Sequence, residues 1–264
     1  MNLTKSSCLA HKLLGMSVVS LLVAISWGSY SPAKAEGVSQ SKQLRAYANS
    51  TSPAPVVRFV PPNTDPADDS RGGASRPAEV KCSQDQAYTV PLTALLPTSR
   101  VGLTVAAHPT IWVYVPPTVA QEAHFTLRDP QNRGIYQAML PLPAEGGIMG
   151  IQLPEDSPPL ALGATYRWSL ALMCQPTQTD MPLVDGYIQR IETVADTNTN
   201  ERSLVQQTAD YGQAGVWYDM LSGLIQLQQP QPENAALTQS WRQLLESEGL
   251  AELANQPFLE LREN

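Results

Sequence analysis

The sequence predicts a mainly β domain, built as an antiparallel β-sandwich, followed by a small C-terminal bundle of helices. Three observations carry that reading. From Lys81 to about Glu192, short runs of β-branched and aromatic residues recur at roughly 8–12-residue spacing, with turn residues between them and no helical period. From about Asn198 onward the apolar residues fall at helical spacing instead. Ahead of both lies a stretch, 36–80, that is too polar and too rich in proline to offset the entropy of ordering it. The predicted organisation is therefore an export signal over 1–35, a disordered Pro/Ser-rich lead-in over 36–80, a β-sandwich over 81–196 and a helical tail over 197–264 packed on the sandwich.

Residues 1–35 have the form of a cleavable signal. Lys5, His11 and Lys12 make a weakly basic start, residues 13–27 an apolar core, and Ala33-Lys34-Ala35 the small-x-small pattern that signal peptidase reads, with Glu36 as the first mature residue. Cys8 precedes the apolar core, so it is not a lipoprotein anchor. No later segment is long and apolar enough to span a bilayer, so cleavage leaves no transmembrane anchor. The expected location is the periplasm or the cell exterior. Lys5, Lys12 and Lys34 leave with the signal, so 17 basic residues against 24 acidic become 14 against 24. An acidic surface without a Lys/Arg cluster repels phosphate backbones, which argues against a nucleic-acid partner. In the lead-in, Pro53, Pro55, Pro61, Pro62, Pro66 and Pro77 accompany Gly72-Gly73. Its only apolar cluster, Val56, Val57, Phe59 and Val60, could dock as a short strand.

The strands follow in order. Thr110–Val115 is β-branched and aromatic throughout, and Pro116-Pro117 closes it. Residues 124–128 alternate polar and apolar before a turn at 129–134. Residues 135–140 come next, then Gly146-Gly147, and then 148–153. A second turn, 154–163, leads into 165–174, and 184–191 ends the series. Within 165–174, Tyr166, Trp168, Leu170, Leu172 and Cys174 share one face, which must point to the core. In the first run Ile111, Val113 and Val115 point one way while Trp112 and Tyr114 point the other. A strand apolar on both faces is covered on both, so something must lie over Trp112 and Tyr114.

Leu160-x-x-Gly163-x-x-Tyr166 has the spacing of a tyrosine corner, in which a Tyr at the start of a strand bonds back to the chain upstream. It resembles the corner of fibronectin type III modules, with Leu162 where a Pro is usual, and makes the predicted sandwich immunoglobulin/fibronectin-III-like. Cys82 and Cys174 survive signal cleavage as an even pair in a compartment that permits disulfides. With only His108 and His124 left to supply imidazole, a structural disulfide is preferred to a metal site. Closing a loop of about ninety residues stabilises by ~4–5 kcal/mol on the chain-entropy account.

The tail supplies the candidate cover. Asn198-x-x-Glu201 can form a capping box, and Leu204, Val205, Thr208 and Tyr211 follow at helical spacing. A second helix over about 214–228 carries Trp217, Met220, Leu221, Leu224, Ile225 and Leu227. Pro230 and Pro232 stop it, and Pro232 suits the first turn of a third helix that carries Leu237, Trp241, Leu244 and Leu245 and ends near Gly249. The spacing loosely resembles one tetratricopeptide repeat. A lone repeat cannot bury its own apolar face. The tail holds Arg202, Arg242 and Arg262 against nine acids, so the apolar stripe must be the docked face.

The chemical inventory is thin. No nucleophile elbow, phosphate loop, dinucleotide fingerprint or zinc-protease helix appears. His124 lies on the polar side of its strand, and His108 precedes Pro109 at a turn. Asp65, Asp68 and Asp69 lack the spacing of a calcium loop, and Glu155-Asp156 falls in a Pro-rich turn. No catalytic residue, metal or cofactor is assigned. The expected function is a non-enzymatic protein-binding or scaffold role in the cell envelope, through the helical tail or the Trp112/Tyr114 face. The alternative is a glycan-binding module that stacks sugar rings on Trp112, Tyr114, Tyr136 and Tyr187. An uncharacterised hydrolase comes third.

Several motifs together resemble a known family. They are Leu92-Thr93-Ala94-Leu95-Leu96-Pro97, the run from His108 to Pro116, Leu160-x-x-Gly163-x-x-Tyr166-x-Trp168, Leu172-x-Cys174, the run from Val184 to Arg190, and the tail from Gly215-Val216-Trp217-Tyr218-Asp219 to Trp241-x-x-Leu244-Leu245. Over about residues 80–255 these are similar to the domain-of-unknown-function 928 family of exported cyanobacterial proteins. The resemblance implies a signal, a variable Pro-rich lead, a sandwich and a helical tail. It carries no catalytic residues.

Overall fold

A computed structural model of the chain describes residues 57–62, 81–87, 89–143, 145–175, 177–192 and 203–259. The expected signal with Ala33 and Ala35, most of the lead-in, and Asn198 and Glu201 lie outside the described residues. The strands are β1 (Thr93–Ala94), β2 (Val101–Thr104), β3 (Thr110–Val115), β4 (Glu122–Arg128), β5 (Gly134–Pro141), β6 (Gly147–Gln152), β7 (Thr165–Leu172) and β8 (Leu183–Arg190). Helices α1 (Leu204–Gln213), α2 (Trp217–Gln228) and α3 (Ala235–Ser247) follow, with a single 3-10 turn at Ala251–Leu253. The strands form a three-stranded sheet, β1-β3-β6, and a five-stranded sheet, β2-β8-β7-β4-β5.

One expectation needs correcting. The pairings are antiparallel except that β2 runs parallel to β8, with Val101 opposite Tyr187 and Thr104 opposite Arg190. The larger sheet is therefore mixed. Strand patterning encodes which face is buried, not the direction of a neighbour some eighty residues away.

Burial explains the layering. On β3, Ile111, Val113 and Val115 are wholly buried, and Trp112 and Tyr114 nearly so. On the larger sheet Ala123, Phe125 and Leu127 of β4 lie opposite Leu172, Leu170 and Trp168 of β7, and all six are buried. Leu96, just after β1, sits against Gly186 of β8 and so brings the small sheet to the inner face of the large one. Helix α2 then reaches both sheets. The Trp112 Nε1–H donates to Ser222 Oγ (2.8 Å), the Trp168 Nε1–H to the Tyr218 hydroxyl (2.8 Å) and the Trp217 Nε1–H to the Leu95 carbonyl (2.9 Å). Each of these three buried indoles thus has a partner, as burying its N–H requires.

The helix starts differ from the sequence reading in detail. Helix α1 is capped by Ser203, whose side chain accepts from the Gln206 N–H. Helix α3 is capped by Asn234, which accepts from Ala236 and Leu237 N–H, so Pro232 precedes the helix rather than opening it. An Asn at this position satisfies two N–H groups that Pro232 cannot reach. Past α3, the chain returns to the small sheet. The Ile148 N–H donates to the Pro257 carbonyl (2.7 Å) and the Leu259 N–H to the Ile148 carbonyl (2.8 Å), covering the free edge of β6. Phe258 is fixed there edge-on to Trp241, ring centres 5.2 Å apart.

Two fasteners hold the periphery. Cys82 and Cys174 form a disulfide, with their Cα atoms 5.3 Å apart. The Tyr166 hydroxyl accepts from the Ala161 N–H at 3.0 Å, and the Gly163 N–H donates to the Arg190 carbonyl at 2.7 Å, so Leu160, Gly163 and Tyr166 form a pinned corner before β7.

Candidate functional site

The four aromatics proposed as a glycan platform do not meet. Trp112 and Tyr114 are buried, with Trp112 beneath α2, so neither can stack on a sugar or face a partner. Tyr136 lies opposite Leu127 on the inner side of the edge strand β5, its ring centre 6.2 Å from that of Phe125. Tyr187 belongs to the opposite, outer face, beside Arg167. Alternation assigns each ring a strand position, but no spacing within one strand tells which sheet receives it.

The titratable groups gather in a different place. A cleft of about 230 Å³ lies between β2, β3 and the helix pair α1–α2, lined by His108, Thr110, Gln152, Thr208, Tyr211 and Asp219 among others. Asp219 stands in the first turn of α2. Burial pushes its carboxyl above the usual range, against the hydrogen bonds that it accepts from Thr104 and the Val105 N–H (3.1 Å). His108 donates from Nε2 to the Ser157 carbonyl (3.0 Å), which fixes its tautomer. Asp219 is thus tied to the end of β2 and His108 to the loop before β7. Sequence reasoning passed over Asp219, because an acid in a helix's first turn reads as a charge on the helix dipole. Among the described residues, no group of three His, Cys, Asp or Glu could hold a metal ion.

The outer face of the large sheet is open. Met139, His124, Ala171 and Leu183 form one row across β5, β4, β7 and β8, and Met139 (46%) and Leu183 (43%) are exposed. Farther along, Asp185 accepts hydrogen bonds from Arg100 Nη2 (2.9 Å) and from Arg167 Nε and Nη2 (3.0 and 2.6 Å). Asp185 is itself buried beneath the two guanidiniums. That cluster binds the rim of the sheet together.

The β5 edge of this sheet carries backbone groups without a partner among the described residues. The Leu142 N–H donates to the Gln121 carbonyl, and the register places Leu140, Ala138 and Tyr136 in the same phase, bonded to β4. By antiparallel alternation, Gln137 and Met139 turn their N–H and C=O groups outward. Among the described residues nothing bonds them. Residues 134–143 contain no Lys, Arg, His, Asp or Glu, and no proline before Pro141. Among the described residues, the one device blunting the edge is the irregularity opposite Leu127 and Arg128, at its start.

Among curated proteins, none matches this chain. A family model, described as Domain of Unknown Function (DUF928), matches residues 71–258, a span that takes in both sheets, the helices, the disulfide and the open β5 edge. The chain belongs to that family.

Proposed function

We propose that this is an exported, non-enzymatic protein that binds another protein in the cell envelope or outside the cell by accepting an extended strand along β5. The unpaired N–H and C=O groups of Gln137 and Met139, on a strand without charge, carry the reading. Such an edge is a template for a further strand unless it is charged, shortened or covered. The expected partner segment is extended and uncharged, with an apolar residue to lie beside Met139. The signal-like start, the disulfide and the absence of any described helix long and apolar enough to cross a membrane all suit a protein working outside the cytoplasm. The two facing sheets and the pinned corner suit an immunoglobulin/fibronectin-III-like sandwich, with the helix pair as a tetratricopeptide-like cover.

A photo-crosslinking residue at position 137 tests this in the producing cell. A protein adduct that survives at wild-type Met139 and is lost in the Met139→Pro variant supports strand addition. That proline removes an outward N–H and leaves the ladder to β4 intact. Identical adducts in both proteins, with unchanged melting, would rule the edge out, and a polysaccharide adduct would favour the glycan alternative.

A hydrolase is the second reading, and one observation favours it: the cleft that brings His108, Tyr211 and Asp219 together with a carboxyl above its usual range. The bonds that fix Asp219 to β2 make a structural role the stronger account.

A further inference from the structure

Six residues of the lead-in, 57–62, lie along the turn between α1 and α2. Their side chains alternate: Val57 and Phe59 are buried, while Arg58 and Val60 face out. Phe59 meets Trp217 edge-on, with ring centres 4.9 Å apart. The Val60 N–H donates to the Gly212 carbonyl at 3.0 Å, an acceptor at the end of α1 that it shares with the Gly215 N–H (3.2 Å).

The floor of this groove is shaped for a backbone. A Cβ at Gly212 would come within 2.5 Å of the Arg58 carbonyl oxygen, and one at Gly215 within 2.9 Å of the Val60 carbonyl oxygen and Pro62. Gly215 also has φ +72°, which only glycine adopts freely. Two glycines at the two ends of one turn thus let an extended chain lie flush against it. The aromatic pocket beside them takes the one large side chain.

We propose that the α1–α2 turn is a peptide-binding groove, that residues 57–62 are its resident, displaceable ligand, and that it accepts a segment of the same chemistry from another protein. That chemistry is an aliphatic residue, any residue, an aromatic residue and then a residue with a free N–H, followed by prolines that keep the chain extended. The lead-in acts as a built-in competitor that must leave before the groove can be used. Its hold is slight. Among the described residues, two buried side chains and one backbone hydrogen bond stand against the ordering of six residues. Residues 63–80 tether it to Lys81 and keep it near the groove at high effective concentration. The groove is separate from the β5 edge, and neither proposal depends on the other.

Fluorescence anisotropy of a labelled peptide spanning residues 55–64 tests the idea on the full mature chain. The variant Val57→Ser/Phe59→Ser, with its own strap weakened, should bind the peptide at least tenfold more tightly than the wild type. Adding Gly212→Ala to that variant should abolish binding, with circular dichroism confirming the fold. A peptide carrying Phe59→Ser should not bind the strap-weakened chain, a control that needs no further change in the protein. Absence of binding to the strap-weakened chain, or equal binding of the two peptides, would overturn the proposal.

Discussion

Asp185 and Asp219 are both enclosed carboxylates, and their surroundings give them opposite tasks. Asp185 has two guanidiniums at hydrogen-bond distance and serves as the link between β2's approach, β7 and β8. Asp219 has only neutral donors, from Thr104 and Val105, so burial wins and its carboxyl holds its proton to a higher pH than in the unfolded chain. The sign follows from proton linkage. The native state binds this proton more tightly, so the group's contribution to stability falls as pH rises from about 4, the ordinary Asp value, through the raised native value. Asp219→Asn removes that loss while keeping an acceptor for the Val105 N–H. Urea denaturation between pH 4 and 7 should therefore show the variant gaining on the wild type as pH rises. A constant difference across the range would mean that the carboxyl titrates normally.

At the level of elements, helix α2 is the piece whose loss costs most. Trp217 is fully buried, donates to the Leu95 carbonyl and receives Phe59, so it touches the small sheet and the lead-in together. Trp217→Ala should destabilise by ~3–5 kcal/mol in equilibrium denaturation, the usual cost of truncating a buried large aromatic. A loss under about 1 kcal/mol would show that α2 docks without it. The apolar stripe of this helix was legible in the sequence, as was the need for a cover over Trp112, because β3 is apolar on both faces. The six longer strands were legible for the same reason: alternation over six or more residues fixes a face. Strands β1 and β2 were not, since two and four residues show no period. Nor was the segment around Phe258, which pairs with β6 through backbone groups that any residue would supply. The candidate site fared worse. The β5 edge depends on strand order and the α1–α2 groove on tertiary approach, and local patterning encodes neither. Gly215 is legible only as part of the repeat-like spacing and the family motif, and Gly212 only as the end of a helical run.

For the whole molecule, the Cys82–Cys174 bond closes a loop of 92 residues around most of both sheets. The bond sits beside a clamp in which Asp85 accepts from Thr118 Oγ1 (3.0 Å) and the Val119 N–H (2.7 Å). Replacing both cysteines by alanine should cost ~4–5 kcal/mol on the chain-entropy account. Non-reducing peptide mapping of the folded protein should recover Cys82 and Cys174 in one linked peptide. Free reaction of both with a thiol reagent in the folded protein would show that Asp85 and its neighbours hold this corner alone.

The parallel pairing of β2 with β8 also sets a timetable. A chain that emerges from a ribosome or a translocation pore does so amino end first, and β2 appears about eighty residues before the strand it must join. The small sheet waits longer still, because the edge of β6 stays open until the stretch around Phe258 has arrived. Loop closure over such separations makes assembly slow compared with the making of local turns. The large sheet cannot be completed before Arg190 has emerged, nor the edge of the small one covered before Phe258 has. Any step that requires the chain to be unfolded, passage through a narrow pore included, would gain from that delay, which is written into strand order.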